Sequence, residues 1–253
     1  MDEFCLHVMK IILKYIISLK ILLWACIAIY PQSYPFRSIS VAEGLQDLIV
    51  NALYKDSLGY IWIGTASSLE RFDGVHLKSF PIPEEGKRKD VNTIIEMPGH
   101  ELWMGNRTGL WKVNGEKLLR VAADTIRSGV YSLCSDGKGT LYIGSESGLF
   151  IYNSKGVERI LLDPNVLSGA NFIMGMALDD RDILWVITRK GLYSVVLSGK
   201  SILFHPCLMN GQVYEDGYNN IYSLGSMLYL GTTEKGIITF DKCPRQFAHW
   251  MDL

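Results

Sequence analysis

The chain has 253 residues, of which 48% are hydrophobic, and a formal net charge of −1 from 25 basic and 26 acidic side chains. A chain of this length can bury a sizeable core as one or two domains. The balanced charge gives no electrostatic preference for nucleic acid or for a membrane surface, so we expect no nucleic-acid partner.

The N-terminal 32 residues differ in composition from the rest of the chain. Lys10, Lys14 and Lys20 precede an uninterrupted apolar run at residues 21–30. Ten helical residues span about 15 Å, roughly half of the ~30 Å hydrocarbon core of a bilayer. A short apolar run behind a basic region is typical of a secretory signal peptide. We therefore predict that residues 1–32 are a signal peptide cleaved after Ala28 or, alternatively, an uncleaved N-terminal membrane anchor.

Five similar segments follow, each made of short apolar runs punctuated by Gly and Asp. Such runs, rich in Ile, Val, Trp and Tyr, are typical of antiparallel strands joined by tight turns. A repeat of about 40 residues built from short strands predicts the four-stranded blade of a β-propeller. The residues aligned as equivalent are Gly64, Gly105, Gly144, Ile187 and Gly231, and the predicted blade cores are residues 50–74, 91–115, 130–154, 172–199 and 220–243.

The predicted fold is therefore an all-β propeller of four-stranded antiparallel blades over residues 33–253. Its middle strands are apolar at nearly every position because each blade packs on two neighbours. The outermost strands are predicted at residues 76–80, 117–121, 157–161, 201–205 and 246–250. Residues 36–41 have the pattern of a further outer strand that no blade needs. We therefore expect an incomplete ring from a longer protein, with a closed five-blade ring as the alternative.

The first copy of the repeat carries a specific motif. Asp56 and Gly59 are followed by Ile-Trp-Ile-Gly-Thr at residues 61–65 and Phe-Asp-Gly at residues 72–74. This motif resembles the two-component regulator propeller repeat. The resemblance covers the chain from about residue 36 onward and departs at Ser68, where the repeat usually has Gly.

The resemblance implies a function. Such repeats build the periplasmic sensor region of hybrid histidine kinases of Bacteroides-type bacteria, whose full-length form is anchored in the inner membrane. It implies an oligosaccharide ligand, signalling as a homodimer, and contact with the membrane only through the N-terminal segment or a C-terminal part outside this chain. The kinase itself is absent here, so we expect no enzymatic activity. The alternative is a self-contained exported propeller that serves as a protein-interaction scaffold.

The loops after the second strands are the predicted ligand-binding positions. In a propeller these loops converge with the connections between blades at one end of the axis, where ligands bind. The first candidates there for polar contacts with a ligand are the charged residues Arg107, Glu146, Arg189 and Lys235. A solvated rim without a ligand is the alternative interpretation of each.

Other chemistry-bearing residues have structural interpretations. Trp62, Trp103 and Trp185 recur at one repeat position, which favours packing between blades over sugar stacking. The Asp side chains in the tight turns are expected to hydrogen-bond backbone groups of their own turn. Cys134 is predicted to be a core residue, and a disulfide between Cys207 and Cys243 is left open. The histidines and cysteines lack metal-ligand spacing, so we expect no metal and no cofactor.

Overall fold

The computed structural model describes residues 2–27, 36–83, 89–198, 201–206, 208–209, 212–213 and 217–242, with side chains described within 7–20, 36–83, 89–196 and 217–242. The chain divides into two compact units, residues 1–38 and 39–253.

The first unit is dominated by one helix, α1 (Asp2–Ile27), which continues through the three lysines of the predicted leader. Among the described residues, no helix combines the length and hydropathy needed to cross a membrane. The predicted cleavage point after Ala28 lies outside the described residues, and the signal peptide remains a prediction.

The second unit is a five-blade β-propeller, as predicted. Its first four blades are antiparallel sheets whose strands follow one another in chain order. Blade 1 comprises β1 (Val50–Lys55), β2 (Ile61–Thr65), β3 (Leu69–Phe72) and β4 (Leu77–Phe80). Blade 2 comprises β5 (Val91–Met97), β6 (Glu101–Asn106), β7 (Gly109–Asn114) and β8 (Lys117–Val121).

Blades 3 and 4 repeat this arrangement. Blade 3 comprises β9 (Val130–Ser135), β10 (Leu141–Ser145), β11 (Gly148–Asn153) and β12 (Gly156–Ile160). Blade 4 comprises β13 (Ile173–Leu178), β14 (Ile183–Thr188), β15 (Gly191–Ser198) and β16 (Ser201–Pro206).

A short hairpin of β17 (Leu208–Met209) and β18 (Gln212–Val213) follows blade 4 and was not predicted. Blade 5 has three described strands, β19 (Tyr218–Leu224), β20 (Met227–Thr232) and β21 (Ile237–Asp241). Its predicted outer strand, residues 246–250, lies outside the described residues, as do Cys207 and Cys243.

The predicted strand at residues 36–41 is wrong. Residues 36–40 have no regular structure, and Val41–Glu43 is a 3-10 turn. The Ser40 hydroxyl accepts a hydrogen bond from the backbone N–H of Ala42, and the Glu43 carboxylate accepts one from the backbone N–H of Ser40. This reciprocal capping pair stabilises a helical turn, which competes with strand formation.

The repeating glycine allows neighbouring blades to approach closely. A Cβ on Gly64, Gly105 or Gly144 would lie 2.3 to 2.6 Å from a β-branched side chain of the next blade. Blade 4 carries Ile187 at this position, and its cross-strand partner is Gly175. In blade 4 the glycine therefore lies on the inner strand instead of the second strand, which makes room for the isoleucine. This exchange explains why the fourth repeat matches the sequence pattern less well.

Two of the recurring tryptophans are anchored by the turn aspartates. The indole Nε1 of Trp62 donates to Asp56 at 2.7 Å, and that of Trp185 donates to Asp179 at 3.1 Å. The equivalent of these aspartates in blade 2 is Met97, and among the described residues the buried Nε1 of Trp103 has no partner. The packing role predicted for the tryptophans agrees with their burial at 4% exposure or less.

Candidate functional site

One cavity lies where the inner strands of all five blades converge, and we call it the axial cavity. Its volume is about 710 Å³. It is lined by the first residues of the inner strands and by the loops after three second strands, namely Val50, Asn51, Asn92, Arg107, Tyr131, Glu146, Phe172, Met174, Arg189, Tyr218 and Asn219. Each blade therefore contributes to one shared site.

The fold places these side chains through two repeated positions. The inner strands β1, β5, β9, β13 and β19 pack in this order. The loop residue after the second strand is held beside the start of the inner strand by a backbone hydrogen bond. The N–H of Glu146 donates to Gly129 O at 3.1 Å, and that of Arg189 donates to Phe172 O at 3.3 Å. Side chains at both positions thus face the same space.

Two of the charged lining residues are already paired. The Arg107 Nε donates to Asp90 Oδ2 at 2.6 Å, and the Asp90 carboxylate raises the pKa of Arg107. The Tyr131 hydroxyl donates to Glu146 Oε1 at 2.6 Å. Partial burial, together with this hydrogen bond to a carboxylate, raises the pKa of Tyr131 to about 12. Tyr131 therefore remains a neutral hydrogen-bond donor at physiological pH.

The third charged residue stacks on an aromatic ring. The Cζ of Arg189 lies 3.8 Å from the centroid of the Phe172 ring. The Phe172 ring in turn lies 5.3 Å from the Tyr131 ring, with the two planes tilted by 38°. Arg189, Phe172, Tyr131 and Glu146 therefore form a continuous row along one wall, with a cation at one end and a carboxylate at the other.

The structure brings together three of the four predicted site residues, Arg107, Glu146 and Arg189, whereas Lys235 does not line the axial cavity. In blade 5 the backbone N–H of Thr232 donates to the carbonyl of Gly236, four positions further along the chain, rather than to a residue three positions along. The loop is therefore one residue longer than its equivalents in the other blades. Thr233 takes the position that the other loops give to Arg107, Glu146 and Arg189, and its N–H donates to Gly217 O at 2.8 Å. Whether the three residues bind a ligand remains a prediction.

The sequence reasoning missed the contribution of the inner strands. The residue that follows the first apolar residue of each repeat lines the axial cavity. It is an asparagine in blades 1, 2 and 5, Tyr131 in blade 3 and Met174 in blade 4. The recurring pairs Val50-Asn51, Val91-Asn92 and Tyr218-Asn219 were the available signal, since a polar residue at a fixed place in an apolar strand has to meet water or a ligand.

A second, smaller cavity of about 190 Å³ lies between blades 1 and 2. Near it, the Glu96 carboxylate accepts hydrogen bonds from the Ser57 backbone at 2.8 Å and the Ser57 hydroxyl at 2.6 Å. The Nδ1 of His100 lies 2.8 Å from the Ser57 hydroxyl and 3.0 Å from Glu96. A catalytic relay would need the two ring nitrogens of the histidine to contact different partners. Here Nδ1 of the histidine makes both contacts, which is not the geometry of such a relay. The cluster instead joins the two blades by hydrogen bonds.

The axial cavity offers hydrogen bonds, an apolar wall and one stacked cation. Within the described ranges, no group of three or more His, Cys, Asp and Glu side chains is placed to hold a metal ion. Chemically, the side chains that line the axial cavity can hydrogen-bond a polar molecule and pair with one anionic group.

Cys134 lies apart from this cavity. It is a free, partly buried thiol whose pKa is raised by burial, and it packs at the edge of the core between blades 3 and 4.

Comparison with known proteins supports the interpretation of the repeat. Residues 44–67 match the model of the family described as "Two component regulator propeller". This segment spans β1 and β2 of blade 1, the copy in which the motif is best preserved. A comparison of the sequence with curated proteins finds no match.

Solved structures with a similar fold include sensor and non-sensor propellers. The extracellular domain of the hybrid two-component system BT4673 from B. thetaiotaomicron superposes with a TM-score of 0.63 at 20% identity, over 78% of this chain and 28% of that one. PorZ, a surface component of the type-IX secretion system of Porphyromonas gingivalis, gives a TM-score of 0.59 at 20% identity, over 82% and 34%. Virginiamycin B lyase from Staphylococcus aureus gives 0.55 at 14% identity, over 80% and 73%.

At these identities the likeness establishes the fold alone. The chain spans about a quarter to a third of the first two of these proteins. The lyase shows that the fold also supports catalysis in other proteins. The chain therefore carries a two-component regulator propeller repeat within a five-blade β-propeller.

Proposed function

We propose that this chain is the ligand-sensing propeller of a two-component system, exported to the periplasm, and that its ligand is an oligosaccharide. The observation that carries the proposal is the axial cavity, to which all five blades contribute polar side chains. Its volume of about 710 Å³ lies within the range of small-molecule sites, roughly 300–1,000 Å³. The regulator repeat in blade 1 supports the assignment to a signalling protein.

The chemistry of the wall favours a sugar. An oligosaccharide presents hydroxyl groups, which both donate and accept hydrogen bonds, and flat apolar C–H faces. Asn51, Asn92 and Asn219 each carry a donor and an acceptor. Tyr131 offers an aromatic face beside a polar tip.

Signalling would follow from a shift in population. A ligand changes an equilibrium only if it binds one arrangement more tightly than the other. A cavity shared among blades is suited to this role, because its shape depends on how the blades are packed. In the proposed full-length protein, the ligand would favour one arrangement of sensor dimers and so control a kinase located outside this chain.

The proposal is tested with an oligosaccharide array probed by the purified full chain, followed by calorimetric titration of each hit. Tyr131→Ala removes the aromatic wall, and we expect it to weaken binding at least tenfold. Tyr222→Ala is the matched control, since Tyr222 is 62% exposed and does not line the axial cavity. If no oligosaccharide binds, the proposed ligand class is wrong. If both variants bind as the natural chain does, the axial cavity is not the binding site.

A protein-interaction scaffold is the second candidate, and one observation favours it. Leu53 on blade 1 and Ile237 on blade 5 are 68% and 74% exposed. Exposed apolar side chains on a packing face are typical of protein contact sites. Under this candidate, Leu53→Ser and Ile237→Ser abolish capture of the partner, whereas Tyr131→Ala has no effect.

A further inference from the structure

The charged side chains at the axial cavity differ in the partners they contact. Three charged side chains line it, and two of them are already engaged. Arg107 is paired with Asp90 at 2.6 Å, and Glu146 accepts the Tyr131 hydroxyl at 2.6 Å. Arg189, in contrast, has no ion-pair or side-chain hydrogen-bond partner within the described part of the chain. Arg189 is therefore the one cation lining the cavity that lacks an anionic partner among the described residues, and an incoming acidic group can pair with it. Glu146 keeps its negative charge, because the Tyr131 hydroxyl is neutral.

The stacking of Arg189 prepares it for an anion. A guanidinium held over an aromatic ring can still donate N–H groups from its edge, and a planar or tetrahedral oxyanion can accept two of them. The contact with Phe172 at 3.8 Å also limits the rotamers of a long, flexible side chain. Less conformational entropy is then lost when a ligand binds.

The neighbouring side chains define the rest of the ligand. Tyr131, next in the row after Phe172, offers its ring to an apolar face. Glu146 lies at the far end of the row and would repel a second acidic group placed there. The wall is therefore complementary to a molecule with one acidic end, an apolar face and a neutral polar end.

Extending the proposed function, on which this step rests, we propose that the axial cavity binds an acidic oligosaccharide whose carboxylate or sulfate pairs with Arg189. The sugar ring next to the acidic group packs on Tyr131. The neutral end of the ligand donates hydroxyl hydrogen bonds to Glu146. Arg189 thus selects for charge, and the remainder of the wall selects for a saccharide.

The test is calorimetric titration of the full chain with four probes in low salt. The probes are a uronic-acid disaccharide, a sulfated disaccharide, the neutral disaccharide of the same linkage, and inorganic sulfate. We expect at least one acidic disaccharide to bind ten times more tightly than the neutral one. We also expect this preference to shrink as salt is raised, because the pair at the exposed Arg189 is screened. Which acidic disaccharide is preferred identifies the anionic group.

Variants at Arg189 separate the charge from the shape. Arg189→Gln is expected to abolish the acidic preference while leaving the affinity for the neutral disaccharide within about twofold. Arg189→Lys keeps the charge but loses the planar fork, and we expect it to retain part of the preference. The matched control is Lys190→Gln. Lys190 is adjacent in sequence, lies 4.0 Å from Asp163 and does not line the cavity, so its loss should leave the preference unchanged.

The outcomes distinguish this inference from the proposed function. Equal binding of neutral and acidic disaccharides, unaffected by Arg189→Gln, overturns the inference and leaves oligosaccharide binding standing. Inorganic sulfate binding as tightly as the acidic disaccharides also overturns it, because the site would then be a simple anion site. Failure of all three disaccharides to bind overturns the inference, whereas the proposed function is overturned only if the oligosaccharide array also gives no binder.

Discussion

Equivalent positions in blades 2 and 5 have opposite environments. Leu110 and Ile237 each lie opposite the repeating glycine of the second strand, Leu110 pairing with Gly105 and Ile237 with Gly231. Leu110 is fully buried against blade 3, whereas Ile237 is 74% exposed. Both residues are apolar and occupy the same place in the same kind of sheet. The presence of a packed neighbouring blade, and not the residue type, therefore decides burial.

The other face of the blades shows the same contrast. Ile94, Leu133, Met176 and Ile221 pack on the preceding blade and are 7–9% exposed, whereas Leu53, their equivalent in blade 1, is 68% exposed. A repeat protein gains its core from contacts between neighbouring units. Among the described residues, blades 2, 3 and 4 therefore have both faces covered, whereas blades 1 and 5 each have one face that no described blade covers.

Truncation of the two equivalent side chains should give the largest difference. We expect Leu110→Ala to lower the free energy of unfolding by about 2–5 kcal/mol, because it removes buried methyl groups and leaves a cavity. Ile237→Ala should change it by less than about 0.5 kcal/mol. Urea unfolding monitored by tryptophan fluorescence measures both, with an unchanged m-value as the control for an intact native state. A large loss for Ile237→Ala would show that another surface covers this residue in solution.

Adding one methyl group at the repeating glycine tests the same contrast from the opposite direction. A Cβ at Gly105 would lie 2.3 Å from Val130 of blade 3, whereas at Gly231 the nearest atom is 3.8 Å away. We expect Gly105→Ala to destabilise the protein by about 1–3 kcal/mol through overpacking and Gly231→Ala to be nearly neutral. The same unfolding assay applies. Equal effects of the two variants would mean that the glycine is needed for the strand itself and not for the approach of the next blade.

The aspartate–tryptophan anchor should distinguish blade 4 from blade 2, which lacks it. Burial opposes ionisation of Asp179, but hydrogen bonds from Ile183 N–H, the Trp185 indole and Arg181 outweigh it and lower the pKa of this carboxyl. A lowered folded-state pKa contributes stability above the unfolded value of 3.8, and this stability is lost as the pH falls through the folded-state pKa. Asp179→Asn should cost about 1–2 kcal/mol at pH 7.

Thermal unfolding between pH 2 and 7 checks this prediction. The cost of Asp179→Asn should shrink as the pH falls below about 4. Asp182→Asn is the control, because Asp182 lies in the same turn with a side chain that is 72% exposed, and its effect should stay below about 0.5 kcal/mol. An Asp179→Asn cost that does not vary with pH would argue that shape, and not charge, holds the tryptophan.

The smallest expected effect concerns Glu70 in blade 1, which occupies the position of Trp111 in blade 2 and Phe150 in blade 3. Glu70 is fully buried, and its Oε2 has no hydrogen-bond partner among the described residues. Burial raises the pKa of this carboxyl above its usual 4.5. As the pH rises, the Glu70 carboxyl therefore loses its proton in the unfolded chain before it does so in the folded protein. Glu70 thus lowers the free energy of unfolding as the pH rises above about 4.5.

Glu70→Gln removes this charge and should stabilise the protein by about 1 kcal/mol at pH 7, with no gain at pH 4. Thermal unfolding at the two pH values measures the difference. Glu158→Gln, on an exposed position of β12, should be neutral at both. Destabilisation by Glu70→Gln at pH 7 would indicate that the carboxylate is required in its ionised form.

Much of the fold could be predicted because the signal is repeated. The strand pairs around Gly64, Gly105 and Gly144 follow from local alternation and turn residues, which the repeat presents several times. The prediction of a strand at residues 36–41 was wrong because the capping pair of Ser40 and Glu43 is also a local signal, and this pair favours a helical turn.

The site was harder to predict than the fold. The placement of Arg107, Glu146 and Arg189 in one cavity follows from the loop position alone, which the repeat makes visible. Lys235 was misplaced because one extra residue in its loop moves it away from the axial cavity, and a sequence comparison by position does not show the hydrogen bond of Thr232 that reveals the longer loop. Tyr131 and Phe172 lie in and beside an inner strand, where an aromatic residue normally indicates packing.

The sequence by itself determined the blade, because strand, turn and glycine positions are local properties that recur with a constant period. It also determined which loops carry charge. Only the tertiary structure decided which partner each charged side chain contacts, since Arg107 pairs with Asp90 and Glu146 accepts the Tyr131 hydroxyl, whereas Arg189 lies over an aromatic ring. The tertiary structure also decided which apolar positions are buried. Burial requires a neighbouring surface, and the residue type alone does not supply one.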